Sequence, residues 1–241
     1  MPPPFFVFHF AISIYILNPE LFDYLRELRV NNNREWFQAN KKRYDTLRAD
    51  FIHDVSRLIE RIAAFDPEIA SLDARSCIYR IYRDLRFSPD KTPYKTYFSA
   101  YMTGFGGRTS PYGGYYIHLE PDASQLSGGV WCPTSPMLKQ LRRDISDNMD
   151  ELITILHTPA FRRTFGTFTG EQLTRMPQGF PTDMPHGELL RFKSFVVTSV
   201  KPESFFTSPD WLDRATEDFR LLHPLNRFLN YTIGQFFGKE P

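Results

Sequence analysis

Residues 77–87 read Cys-Ile-Tyr-Arg-Ile-Tyr-Arg-Asp-Leu-Arg-Phe, and here the spacing of the apolar residues changes. Cys77, Tyr79, Ile81, Leu85 and Phe87 alternate with Arg80, Tyr82, Asp84 and Arg86. A period of two marks a strand. Arg83 interrupts the apolar side, so the strand is expected to end near it. Downstream, further strands are expected at 96–103, 115–120 and 127–131. The Gly/Pro-rich turn at 104–114 and a short turn at 121–123 separate them. Consecutive strands joined by turns make an antiparallel meander.

On both sides the period returns to that of a helix. Upstream, Leu21, Phe22, Leu25 and Leu28 share one face of a short helix. A longer helix, capped by Asn33, carries the stripe Trp36, Phe37, Tyr44, Leu47, Phe51, Val55, Leu58, Ile62. It should stop before Asp66-Pro67, because proline disfavours helix in the residue before it. Downstream, Leu138, Leu141, Ile145, Met149 and Leu152 predict a helix over 136–156. A strand over 195–200 precedes a helical C-terminus from 209 to about 237, expected to break at His223-Pro224. Asn18-Pro19, Ser135-Pro136 and Ser208-Pro209 each place a capping side chain before a proline suited to a helix start. The fold class expected is α+β: an antiparallel β-meander over about residues 76–131, packed against N-terminal and C-terminal helices.

The 241 residues suffice for one domain, taken as 18–241. Apolar residues make up 41%, and 23 Phe supply enough burial to exclude disorder as the main state. Residues 5–17 form an apolar run shorter than the roughly 20 residues of a membrane span. No basic residue precedes it, so a signal peptide is disfavoured. Residues 1–17 read as an extension or an edge strand. Two cysteines, Cys77 and Cys132, make no disulfide scaffold and no CxxC. A soluble, cytoplasmic protein is expected.

The net charge of +1 excludes a globally basic nucleic-acid coat. It also hides an asymmetry. Between positions 75 and 108 lie seven Lys or Arg and two Asp, a local net of +5. Arg80, Arg83 and Arg86 offer planar forks suited to phosphate or carboxylate. Lys91 and Lys95 add point charges, and Ser88, Thr92 and Tyr94 add hydroxyl donors. Two arrangements fit: an anion pocket in which Asp84 orients an arginine, or an Arg–Asp network tying a strand to a loop. Asn40 is a second anomaly, an amide on the apolar stripe of the long helix. It either holds backbone or faces a ligand, since an unpartnered buried amide costs about 1–3 kcal/mol.

These residues also carry a resemblance. The chain carries Asn33-Arg34-x-Trp36-Phe37-x-x-Asn40 and Arg80-x-x-Arg83-Asp84-x-Arg86-Phe87-Ser88-x-Asp90-Lys91-x-Pro93-Tyr94-Lys95. Gly114-Tyr115-Tyr116-x-His118, Gly128-Gly129-x-Trp131-x-Pro133 and Pro177-x-Gly179-Phe180 join them. Together they resemble the family catalogued as domain of unknown function 2461, over about residues 19–235. Asp183-Met-Pro-His186 departs from the Asp-His-Pro expected there, which leaves the role of His186 open. The family name implies no activity.

Other motifs are incomplete. Gly104-x-Gly106-Gly107 lies between expected strands, with Thr109 where a dinucleotide fingerprint needs a third glycine. His118 and Glu120 would share a strand face but lack a third metal ligand, and Cys132-Pro133 is not a deaminase Pro-Cys-x-x-Cys. Pro89-Asp90 lacks the acid-x-Lys of a nuclease, and no Gly-x-Ser-x-Gly elbow exists. No cofactor or metal is expected. Three functions remain open. The first is a small-anion pocket built from Asn40, Arg80, Arg83, Arg86, Ser88, Lys91, Tyr94 and Lys95. If it is an enzyme, Asp84 or Asp90 would be the general base. The second is a nucleic-acid binder that stacks bases on Tyr79, Tyr82, Tyr94, Tyr97 and Tyr101. The third is a non-enzymatic interaction or structural module.

Overall fold

The computed structural model describes residues 16–86 and 88–238. Four strands form one antiparallel sheet in sequence order: β1 (Phe98–Met102), β2 (Gly114–Leu119), β3 (Gln125–Val130) and β4 (Phe195–Val200). Before the sheet come α1 (Glu20–Val30), α2 (Arg34–Ala39), α3 (Lys41–Ile62) and the single turn α4 (Ala74–Cys77). Between β3 and β4 lie α5 (Ser135–Asp147), α6 (Met149–Leu156) and α7 (Pro159–Thr164). After β4 come α8 (Glu203–Phe206) and the long α9 (Trp211–Phe236). The α+β class and the meander hold, and β4 extends the meander at the β3 edge.

Strand alternation sorts the two sheet faces. Phe98, Ala100, Met102, Tyr115, Ile117, Leu119, Leu126, Val130, Phe195 and Val197 are all buried, toward α3 and α9. Helix α9 presses closest at Gly128, where a Cβ would stand 2.5 Å from Leu222 Cδ1. A side chain there would push the helix off the sheet. The opposite face carries Ser99, Tyr101, Tyr116, His118, Gln125, Ser127, Val196 and Thr198. It is the face on which the polar and aromatic residues gather.

Three local expectations are corrected. Residues 77–83 do not form a regular strand. Cys77 closes α4, and the following segment pairs only through single bridges, Ile78 with Ala100 and Tyr82 with Tyr94. The alternation there records a chain pinned at two points, with Ile81 buried and Arg80 exposed. Helix α9 runs through Pro224 unbroken. Pro224 is exposed, so the missing donor costs one hydrogen bond on the solvent side, while Leu222, Leu225, Phe228 and Leu229 stay packed. The single helices expected after Asn33 and over 136–156 are each divided in two, at Asn40 and Asn148. Asn33 caps α2 as expected, its side chain accepting from Trp36 N at 2.9 Å. Asn18 accepts from Glu20 N at 3.1 Å, whereas Ser135 already lies inside α5 and Ser208 donates to Phe205 O. The apolar N-terminal run lies almost wholly outside the described residues. Among the described residues, no helix is long and apolar enough to cross a membrane.

Candidate functional site

The basic block forms an excursion between α4 and β1. Its two arms are held by Arg83 N to Pro93 O at 3.0 Å and Lys95 N to Ile81 O at 2.8 Å. The turn after α1 pins it from outside. The Asn32 amide donates to Tyr94 O at 2.9 Å and accepts from Tyr94 N at 3.0 Å, pairing as a strand neighbour would. Tyr94 is 3% exposed, its ring stacked on Phe37 at 4.0 Å. It therefore serves the core and anchors the excursion. Asn40 donates to Trp36 O at 3.0 Å and so holds backbone at the α2–α3 junction.

Most of the block's charge is spent internally. Arg83 reaches Asp90 and the Thr92 hydroxyl, and donates to Ser88 Oγ at 3.2 Å. Arg86 clasps Asp84 with two bonds, Nε at 3.0 Å and Nη2 at 2.7 Å. Lys91 Nζ donates to Leu85 O at 3.0 Å. The Arg86 guanidinium holds Asp84 down at about 2, and the Thr92 N–H with Arg83 holds Asp90 at about 2. Carboxylates so stabilised are weak bases, which is the wrong tuning for a general base near neutral pH. Arg80 is exposed.

Lys95 differs. Its side chain turns onto the open sheet face, with Nζ 5.3 Å from the Tyr79 ring centroid and 5.5 Å from that of Tyr97. Among the described residues its ammonium has no carboxylate partner. Burial, and then the Arg80 charge, push its pKa down. Around it opens a cavity of about 570 Å³, lined among others by Tyr79, Tyr97, Tyr101, Tyr116, Arg108, Trp131 and Thr198. Trp131 is 70% exposed at the rim. Arg108 donates to Ser76 O at 2.7 Å, and the Tyr79 hydroxyl donates to Arg108 O at 3.2 Å. Tyr101 donates to Tyr112 O at 2.6 Å, which ties the floor to the turn before β2.

Beside this cavity, β2 lays three polar side chains in a row. Tyr116 Oη stands 2.9 Å from His118 Nδ1, and His118 Nε2 stands 3.0 Å from Glu120 Oε2. Thr96 donates to the other Glu120 oxygen at 2.7 Å. The shared face expected for His118 and Glu120 is present, and the two bond each other. Among the described residues, no group of three or more potential ligands could hold a metal ion. His186 lies in an exposed loop, 4.0 Å from Glu188 and far in sequence from this face.

A second cavity, of about 920 Å³, lies against α9. Asp66, Glu68, Asp144 and Glu151 line it with His223, Asn230 and Arg227. Tyr115 donates to Asp66 at 2.8 Å and Thr232 to Asp144 at 2.6 Å. Burial and then Asp66 push Glu68 up, and burial pushes His223 down.

Of the expected site residues, the structure brings Lys95 to the open-face cavity. Arg83, Ser88 and Asp90 gather within the excursion, and Arg86 with Asp84 forms a separate pair. Asn40 and Tyr94 support the scaffold. Sequence reasoning gave no site role to Asn32, Arg108, Tyr116 or Trp131. The period-two spacing Tyr116-x-His118-x-Glu120 was the signal available for one of them.

The chain matches the family model described as Conserved hypothetical protein (DUF2461) over residues 20–228. No curated protein matches the chain, and no solved structure does. With the match covering most of its length, the chain belongs to that family.

Proposed function

We propose that this member of the family binds a small anionic ligand on the open sheet face, with Lys95 as the principal cation. The ligand class is a phosphorylated metabolite, a nucleotide or a carboxylate. One observation carries the reading: a half-buried ammonium, lodged between two tyrosine rings and given no carboxylate, beside a cavity large enough for a small molecule. Ring contacts recover part of the hydration a buried ammonium loses. They leave its charge uncompensated, which an anion would complete. Arg108 at the mouth adds a second charge, and Tyr79, Tyr97 and Trp131 offer faces to a flat ring.

The test is a thermal-shift panel of nucleotides, sugar phosphates and dicarboxylates. A ligand at about 100 times its dissociation constant stabilises by about 2.7 kcal/mol. The shift should vanish in Lys95→Met and persist in Arg86→Ala. Loss in Arg86→Ala with retention in Lys95→Met would move the site to the tip of the excursion.

A second reading rests on Trp131. An exposed indole beside a row of tyrosines also suits the bases of a single strand. Binding of oligonucleotides with a steep inverse dependence on salt would favour it, because phosphate contacts release counterions.

A further inference from the structure

We infer that Tyr116 is the acid–base residue of the open-face cavity, with His118 as its proton acceptor and Glu120 as the group that fixes the direction of transfer. The inference rests on the reading that this cavity takes a ligand, and it adds a substrate class: an anion that also carries a hydroxyl.

The direction follows from donor and acceptor capacity. A carboxylate only accepts, so the contact at 3.0 Å requires a proton on His118 Nε2. Burial pushes the imidazole below its ordinary pKa, so the ring is neutral near pH 7 and Nδ1 bears a lone pair. Tyr116 must then be the donor in the contact at 2.9 Å. With its proton turned to His118, Oη has two lone pairs; Ser99 takes one, and the other remains for a group in the cavity.

The charges around the ring support that assignment. Glu120 favours the imidazolium and Lys95 opposes it. Tyr97 packs on the ring at 4.3 Å, and Arg29 stands 4.0 Å from Glu120. Ser99 and Gln125, the cross-strand neighbours of His118, are uncharged. Burial pushes the Tyr116 phenol up to about 12, so free tyrosinate is scarce at neutral pH. A proton leaving the phenol therefore needs a receiver, and Nδ1 is in place.

The step balances. A substrate hydroxyl gives its proton to Tyr116 Oη as the phenolic proton passes to His118 Nδ1. The products are an alkoxide and an imidazolium held against Glu120. Lys95 faces the ligand's negative charge throughout. His118 and Glu120 are positioning residues, acting through Tyr116.

A neutral aryl fluorosulfate tests this without knowledge of the substrate. Attack by Tyr116 Oη forms the O–S bond and expels fluoride, while the phenolic proton goes to His118. Peptide mapping should show Tyr116 modified roughly a hundredfold or more faster than Tyr79 or Tyr97, the lower end of general-base assistance. The rate should fall as pH drops and His118 protonates. His118→Gln and Glu120→Gln should both abolish the preference. In the wild type, ¹⁵N spectra should show His118 as the Nε2–H tautomer, a readout that survives if either variant misfolds. Equal labelling of the three tyrosines, or an Nδ1–H tautomer, would overturn the relay. Thermal shift of the same wild-type samples with the anion panel reads the proposed ligand binding separately. Selective labelling in a protein that no anion stabilises would therefore keep the relay and refute the anion reading.

Discussion

Two cavities among the described residues are built on opposite principles. The larger one, against α9, gathers four carboxylates with one arginine and one histidine. The open-face one gathers tyrosines around a lysine and an arginine and holds no carboxylate at its lining. In the first, several charges already have internal partners, such as the hydroxyls of Tyr115 and Thr232. In the second, the Lys95 ammonium has only ring faces. The same division runs inside the basic block. Arg83 and Arg86 are paired to Asp90 and Asp84, whereas Lys95 is not. The contrast separates charge paired within the fold from charge that has no internal counter-ion.

The largest expected effect breaks the support of one cavity alone. Tyr94→Ala should cost about 3–5 kcal/mol in denaturant titrations, the range for a large ring removed from a core. It should also release the excursion that carries Lys95. Amide exchange should rise over residues 78–97 and stay unchanged along α9. Next comes Asn32→Ala, which removes both hydrogen bonds to the Tyr94 backbone. A loss of about 1–3 kcal/mol is expected, since Tyr94 N and O are left without partners.

Acid should act on both cavities, with opposite contributions in one. His118 and His223 have pKa values lowered by burial. Between each folded value and 6.5 the unfolded chain holds the extra proton, so stability rises with pH across that window and falls on acidification. Glu68 is raised, so from 4.5 up to its folded value the native state holds the extra proton, and acidification adds stability there. His118→Gln should flatten the loss of stability seen by thermal denaturation as pH falls below the ordinary histidine value of about 6.5. An unchanged profile would mean that His118 is not the group titrating.

Lys95→Met should leave stability unchanged or raise it within about 1 kcal/mol, because a half-buried charge without a counter-ion is removed. A clear loss of stability would make Lys95 structural and erase the contrast with Arg83. Arg86→Ala should be the smallest effect, within about 0.5 kcal/mol, as for most exposed positions.

Much of the architecture was legible in the sequence. The strands expected at 96–103, 115–120, 127–131 and 195–200 all appear; the inward residues of β1 and β2 are apolar at a period of two, while β3 and β4 keep Gly128 and Ser199 among theirs. The failures have physical causes. Residues 77–83 alternate because two bridges and a buried Ile81 hold the segment, and alternation cannot distinguish that from a ladder. Pro224 stays helical because packing on both sides outweighs one lost hydrogen bond. The local net charge singled out the segment that carries Lys95. Counting could not show that Asp84 and Asp90 would take up Arg86 and Arg83, since that depends on how the excursion turns. Nor could it bring in Tyr116 and Trp131, which reach the cavity from two other parts of the chain.

The most direct measurement is the pKa of Lys95 itself, from the NMR titration of a protein labelled with ¹³C at lysine Cε and assigned with Lys95→Met. A value below the ordinary lysine range is expected in the free protein, rising when pyrophosphate or a nucleotide is added. A Lys95 that titrates normally and ignores every anion offered would contradict it.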